Sequence, residues 1–185
     1  MSYRRLSFNL QPKTGLFALL LLLLASLDAV PAKGGAAPVA PPHEAAPPMT
    51  SAIVDETGAE LLMADLGGRA VLVNFWATWC APCVAELPAL SRTAAALAED
   101  GIVVMLVSID RGGAAKAMPF LERLGVTGVR LGFDPKAKLS REVGIRGLPT
   151  SLLLTPSQDR AWRFVGPFEW DSEEMLGLIR DLAGT

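Results

Sequence analysis

Beyond residue 50, short apolar blocks alternate with stretches whose hydrophobic positions recur every three or four residues. Val71-Leu72-Val73-Asn74-Phe75 and Ile102-Val103-Val104-Met105-Leu106-Val107-Ser108-Ile109 are almost unbroken apolar runs rich in β-branched side chains. Such runs suit strands covered on both faces. Residues 151–155 form a third run of this kind, and Val129-Arg130-Leu131 a shorter one. Ala161-Trp162-Arg163-Phe164-Val165 alternates, as a strand near a sheet edge does. Ile53 and Leu61 lie in two short segments parted by Asp55-Glu56-Thr57-Gly58, which predicts an N-terminal hairpin.

Between these blocks the pattern turns helical over 83–98 and 114–124, where Met118, Leu121 and Leu124 keep core spacing. Asp134 and Pro135 predict the N-cap and first residue of another helix, with Leu139 and Val143 on its apolar face. A last helix is expected over 171–182, capped by Asp171, with Met175, Leu178 and Leu182 inward. Strand–helix–strand units followed by a strand pair and a closing helix make an α/β layered domain over 51–185.

The first 32 residues have a different character. Arg4, Arg5 and Lys13 precede an uncharged apolar stretch over 15–27, and Val30 and Ala32 stand at plausible −3 and −1 cleavage positions. That is the pattern of a secretory signal; an uncleaved membrane anchor is the alternative. Under both readings the remainder lies outside the cytoplasm, where disulfides persist. Residues 33–50, rich in Pro and Ala and poor in large apolar side chains, are expected to be an extended linker. His43, the sole histidine, falls there and reads as a solvated tail residue.

Net charge is −2, and the first 32 residues contribute +2, which leaves −4 for the rest. No basic stripe is present, so nucleic acid is not an expected partner.

The chain has only two cysteines, Cys80 and Cys83, at the junction of the first long strand and the first long helix. A helix start favours a thiolate at Cys80, because free N–H groups and the helix dipole point at it. Ala81 and Pro82 bring no charge, so any activation of Cys80 comes from the helix end. Cys83 lies one turn deeper on the same face, placed to resolve a mixed disulfide. A zinc site needs four ligands, a c-type haem site needs a histidine where Val84 stands, and a structural disulfide would close a very short loop. A redox pair is therefore the leading reading, with no cofactor and no metal.

Glu86 continues the three-residue step of the cysteines; it is either a carboxyl buried beside the resolving thiol or an exposed residue of the first turns. Trp76 and Trp79 suit a core and a lid position, or packing alone. Pro149, at the start of a strand, is a further candidate and trans by default.

Together, Val73-Asn74-Phe75-Trp76-Ala77-Thr78-Trp79-Cys80-Ala81-Pro82-Cys83, Glu86-Leu87-Pro88 and Gly144-Ile145-Arg146-Gly147-Leu148-Pro149-Thr150 resemble the TlpA/ResA branch of the thioredoxin-like family. Val107-Ser108-Ile109-Asp110-Arg111-Gly112-Gly113 is closer to the TlpA side. The resemblance covers about 51–182. It implies a thioredoxin-like fold with an N-terminal β-hairpin and a helix–strand insertion at about 113–132. It also implies Cys80 as nucleophile, Cys83 as resolving thiol, Glu86 as buried acid, and a cis Pro149 that presents the Leu148 backbone to substrate. The family's function would make this chain a periplasmic thiol–disulfide oxidoreductase. Its expected role is reduction of protein disulfides in cytochrome c or cytochrome oxidase copper-centre biogenesis. Apocytochrome c or a copper-centre assembly protein would be the substrate, and a membrane thiol transporter the electron donor. An oxidase or isomerase, and a copper-handling protein using the dithiol, are the competing readings.

Overall fold

The computed structural model describes residues 40–184. Its strands are β1 (His43–Ala45), β2 (Ile53–Val54), β3 (Glu60–Leu61), β4 (Val71–Trp76), β5 (Val103–Ser108), β6 (Arg130–Phe133), β7 (Thr150–Leu154) and β8 (Arg160–Val165). They form one sheet in the order β1-β8-β7-β4-β5-β6-β2-β3. The helices are α1 (Ala81–Leu97), α2 (Gly113–Arg123), α3 (Lys138–Glu142) and α4 (Glu173–Ala183). No described helix is long and apolar enough to cross a membrane. The signal or anchor expected over 1–32 lies outside the described residues.

β4 is the axis. It pairs in parallel with β5 and antiparallel with β7, and all six of its residues are buried. Side chains on a strand alternate between faces, so a strand covered on both sides must be apolar throughout. Leu72 and Trp76 join the core under α1 and α4, with Leu87, Leu90, Leu97, Met175 and Ile179. Val71, Val73 and Phe75 join the opposite core, with Leu139, Val143, Ile53 and Leu61. By the same alternation Asn74, the one polar residue of β4, shares the α1 face.

The hairpin and the helix–strand insertion fall where expected, and the sheet joins them. β2 pairs with β3 through Ile53↔Leu61, and with β6 through Val54↔Phe133. Close approach at this seam requires a glycine: a Cβ on Gly132 would stand 2.5 Å from Ile53 Cδ1 and 2.7 Å from Met105 Cε.

Three local expectations are corrected. The stretch 33–50 is not linker throughout, because β1 adds to the sheet edge antiparallel to β8, with His43↔Trp162 in register. An edge strand is held by its backbone and does not need large apolar side chains. Glu44 adds an ion pair with Arg163 at 2.8 Å, and the His43 ring lies 6.2 Å from that of Trp162. The folded part thus begins before residue 51, and His43 belongs to it.

Second, α3 starts at Lys138 rather than Pro135, after Ala137 takes a left-handed conformation at φ 51°. Asp134 still caps it across that turn, accepting from the Lys138 and Ser140 amides at 2.7 and 2.8 Å. Third, the N-cap of α4 is Ser172, whose hydroxyl accepts from the Met175 amide, while Asp171 pairs with Arg92 at 2.6 Å.

The Glu142 carboxylate at the end of α3 holds the chain entering the hairpin. It accepts from the Thr50 hydroxyl and amide and from the Ser51 amide, the last at 2.8 Å. Those bonds, the Thr50 hydroxyl foremost, draw its pKa down from 4.5 to about 2. A depressed carboxyl stabilises fully above its unfolded pKa and loses that contribution as pH falls through the folded value. Hydrogen exchange of the Thr50 and Ser51 amides is expected to lose protection between pH 4.5 and 2. In Glu142→Gln, exchange corrected for its intrinsic pH dependence should show no such step.

Candidate active site

The turn from β4 into α1 carries the cysteines. The Ile109 amide donates to Trp76 O at 2.9 Å, tying the end of β4 to the chain leaving β5. Asp110, itself buried, accepts from the Thr78 amide at 2.9 Å, the Thr78 hydroxyl at 2.8 Å and the Ser108 hydroxyl at 2.9 Å. This fixes the Thr78-Trp79 loop from below and leaves the Trp79 side chain 68% exposed. Trp76 is in the core and fully buried.

Cys80 is the N-cap of α1 and Pro82 lies in its first turn. The Cys83 amide donates to Cys80 Sγ at 3.3 Å, so a helix-terminal N–H is aimed at that sulfur. The same contact favours a thiolate there once the pair is reduced. Cys80 and Cys83 are joined in a disulfide with Cα atoms 5.3 Å apart. Cys80 is 6% exposed and Cys83 not at all, so an incoming sulfur can reach only the first.

Glu86 is buried at 4% exposure, so it is not the exposed residue of the second reading. Asn74 Nδ2 donates to its Oε1 at 2.7 Å, and Trp170 Nε1 to its Oε2 at 3.0 Å; the Phe168 amide approaches Oε2 at 3.4 Å. Burial raises its pKa from the ordinary carboxylate value, against the opposing pull of the Trp170, Asn74 and Phe168 hydrogen bonds. Asn74 also donates to Ser151 Oγ at 3.0 Å, while its own Oδ1 is buried without a partner among the described residues. Phe164, Phe168 and Trp170 pack with ring centroids 5.4–5.6 Å apart. These aromatics and Ser151 were not singled out from the sequence. The signal available was the density of aromatic residues over 162–170 before the last helix.

The Leu148–Pro149 peptide bond is cis. A groove of about 490 Å³ opens over the sulfur, lined by Trp79, Cys80, Pro82, Ile145 and Leu148 among others. The structure thus brings Trp79, Cys80 and Leu148 to one concavity; Cys83, Glu86 and Pro149 are buried and do not line it. His43 is excluded from it, on the outer edge beyond β7 and β8. Among the described residues, no group of three or more His, Cys, Asp or Glu is arranged to hold a metal.

Comparisons with known proteins agree with this architecture. The thiol:disulfide interchange protein HelX of Rhodobacter capsulatus is 35% identical over 121 residues, which span 64% of this chain and 66% of HelX. The thiol-disulfide oxidoreductase ResA of Oceanobacillus iheyensis is 30% identical over 130 residues, spanning 70% of this chain and 65% of ResA. Among solved structures, a thiol:disulfide interchange protein DsbE from Chlorobium tepidum superposes with TM-score 0.65 at 28% identity, covering 77% of this chain and 97% of that one. The Redoxin family model matches residues 41–176, from just before β1 into α4. With that match over most of its length and a cysteine pair at the head of α1, the chain belongs to the Redoxin family, as a thiol–disulfide oxidoreductase of thioredoxin-like fold.

Proposed function

We propose that the chain is an extracytoplasmic reductant of protein disulfides. In this reading the Cys80 thiolate attacks a substrate disulfide, forming a Cys80–substrate bond and releasing one substrate thiolate. Cys83 gives up its proton and attacks Cys80 Sγ, closing the disulfide seen in the structure and freeing the second substrate thiolate. Two electrons pass to the substrate. They return through a thiol donor, with a membrane thiol transporter as the candidate. Trp79 and Leu148 line the groove in which the substrate chain would lie, backbone against backbone, and Pro149 shapes it from behind through its cis bond to Leu148. Glu86, a helical turn beyond Cys83 on the buried face, takes the Cys83 proton directly or through one water.

The observation that carries this reading is the pairing of a 6%-exposed sulfur with a fully buried one, followed three residues on in the same helix by a buried carboxyl of raised pKa. The buried carboxyl supplies the proton acceptor that resolution needs. The names of HelX and ResA support interchange and oxidoreductase chemistry, and the sequence resemblance extends it to cytochrome c or copper-centre biogenesis.

The direction of electron flow is tested by the reduction potential of the Cys80–Cys83 couple. A value of about −270 mV or below fits a reductant; one near about −120 mV would make the protein an oxidant and overturn the reading. The extracytoplasmic placement is tested separately, by protease accessibility of the full chain in spheroplasts.

A further inference from the structure

A second cavity adjoins the redox groove and has an unusual charge. It encloses about 870 Å³ and shares Trp79, Ile109, Ala137 and Arg141 with that groove. Its wall carries Arg111, Lys116, Lys136 and Arg141, and the adjoining groove adds Arg146. Residues 40–184 hold thirteen Lys and Arg against eighteen Asp and Glu. Five of those thirteen cations line the two cavities, and the acids contribute only Asp110. Asp110 forms no ion pair with them, its oxygens accepting from Thr78 and Ser108, and one carboxylate cannot balance five cations. Arg111, Lys116 and Lys136 are exposed and enter no ion pair among the described residues. An acidic domain has gathered unpaired cations in a concave surface beside its reactive sulfur.

Like charges held together without counter-ions repel one another, so the arrangement costs stability unless something negative occupies the cleft. We infer that the basic cleft of Arg111, Lys116, Lys136 and Arg141 is a docking site for an acidic segment flanking the disulfide of the protein substrate. Trp79, 68% exposed, lines both cavities. A chain whose disulfide lies over Cys80 therefore continues past Trp79 into the cleft, where Asp or Glu side chains meet the cations. A peptide is favoured over an anionic membrane because the cations line a hollow that a flat bilayer cannot enter. This deepens the reading above, resting on it for the position of the substrate disulfide but not for the direction of electron flow.

The test uses the full chain and three synthetic peptides with one intramolecular disulfide, flanked on one side by four Glu, four Gln or four Lys. Two quantities are measured: the rate of exchange at Cys80, and the affinity of the oxidised protein for the same peptides with serine replacing cysteine. At low salt the Glu peptide is expected to react and bind about tenfold better than the Gln peptide, and this advantage should shrink several-fold in 0.5 M salt, about the ionic strength that screens such steering. In R111E/K116E/K136E the order should invert in favour of the Lys peptide. R111Q/K116Q/K136Q should bind the Glu and Gln peptides alike, which keeps the test alive if the charge reversal does not fold. Equal behaviour of the three peptides with the unmodified protein would overturn the inference. So would binding to phosphatidylglycerol vesicles that is lost in the charge variants while peptide preference is absent. Failure to reduce any peptide, with the Glu preference retained in the binding arm, would overturn the reductase reading and support the docking site.

Discussion

Cys80→Ser is expected to lower disulfide reduction, in an insulin or partner-protein assay, by about three orders of magnitude or more. Serine has the size of cysteine but neither the accessible thiolate nor the ability to form the mixed disulfide. Cys83 cannot substitute, because it is fully buried while Cys80 retains 6% exposure. Cys83→Ser should behave differently. Cys80 still attacks, nothing releases the product, and a covalent adduct with the substrate accumulates until dithiothreitol is added. Folding is not the confounder, because the cysteines are only three residues apart and a disulfide closing so small a loop contributes about 2 kcal/mol or less. Denaturant unfolding of both serine variants should confirm this. Adducts forming in Cys80→Ser and not in Cys83→Ser would reverse the order of attack.

That contrast was legible in the sequence because it depends on local geometry. A continuous β-branched run, a turn and a helical stretch fix which cysteine comes first at the helix end, and three residues of helix place the other a turn deeper. The hairpin, and the helix and strand over about 113–132, were legible too, through turn residues and periodicity; that the latter two form an insertion came from the family resemblance. What joins them was not: Val54↔Phe133 brings together residues 79 apart, and only the close fit at Gly132 hints at it. β1 was missed because an edge strand relies on backbone pairing, and its side chains carry no periodic mark. At the site the stripe Cys80, Cys83, Glu86 was visible. Burial of its last member depended on Asn74 from β4 and Trp170 from the approach to α4, 84 residues away. The cations of the cleft come from Arg111 and Lys116 at the start of α2 and from Lys136 and Arg141 around α3. Scattered along the sequence among acids, they read as an ordinary solvated surface.

Glu86→Gln isolates the carboxyl's proton from its hydrogen bonds. All three groups facing Glu86 are donors: Asn74 Nδ2, Trp170 Nε1 and the Phe168 amide. Glutamine has one oxygen and one NH₂, so one side of it would meet a donor head-on. Asn74 relieves this by rotating its amide, since its Oδ1 is otherwise unpartnered and Ser151 can serve as donor or acceptor. The variant should therefore fold, with Trp170 still bonded to the glutamine oxygen. Its stability should also respond differently to pH. Burial raises the Glu86 pKa in the folded state, so folding binds a proton between the unfolded value of 4.5 and the raised folded one. Across that window the wild type loses stability as pH rises and the glutamine variant does not, so the variant gains relative to wild type until the folded pKa is passed. Activity should move the other way. A glutamine cannot accept the Cys83 proton, and resolution is expected to slow by about 10²-fold, the low end for a lost general base. In wild type the resolving step should rise through the raised Glu86 pKa, since only the carboxylate is a base. In Glu86→Gln that inflection should disappear, leaving only thiol ionisation. A single-turnover pH profile that keeps its lower inflection in the variant would remove Glu86 from the mechanism and leave it a packing residue under the aromatic cluster.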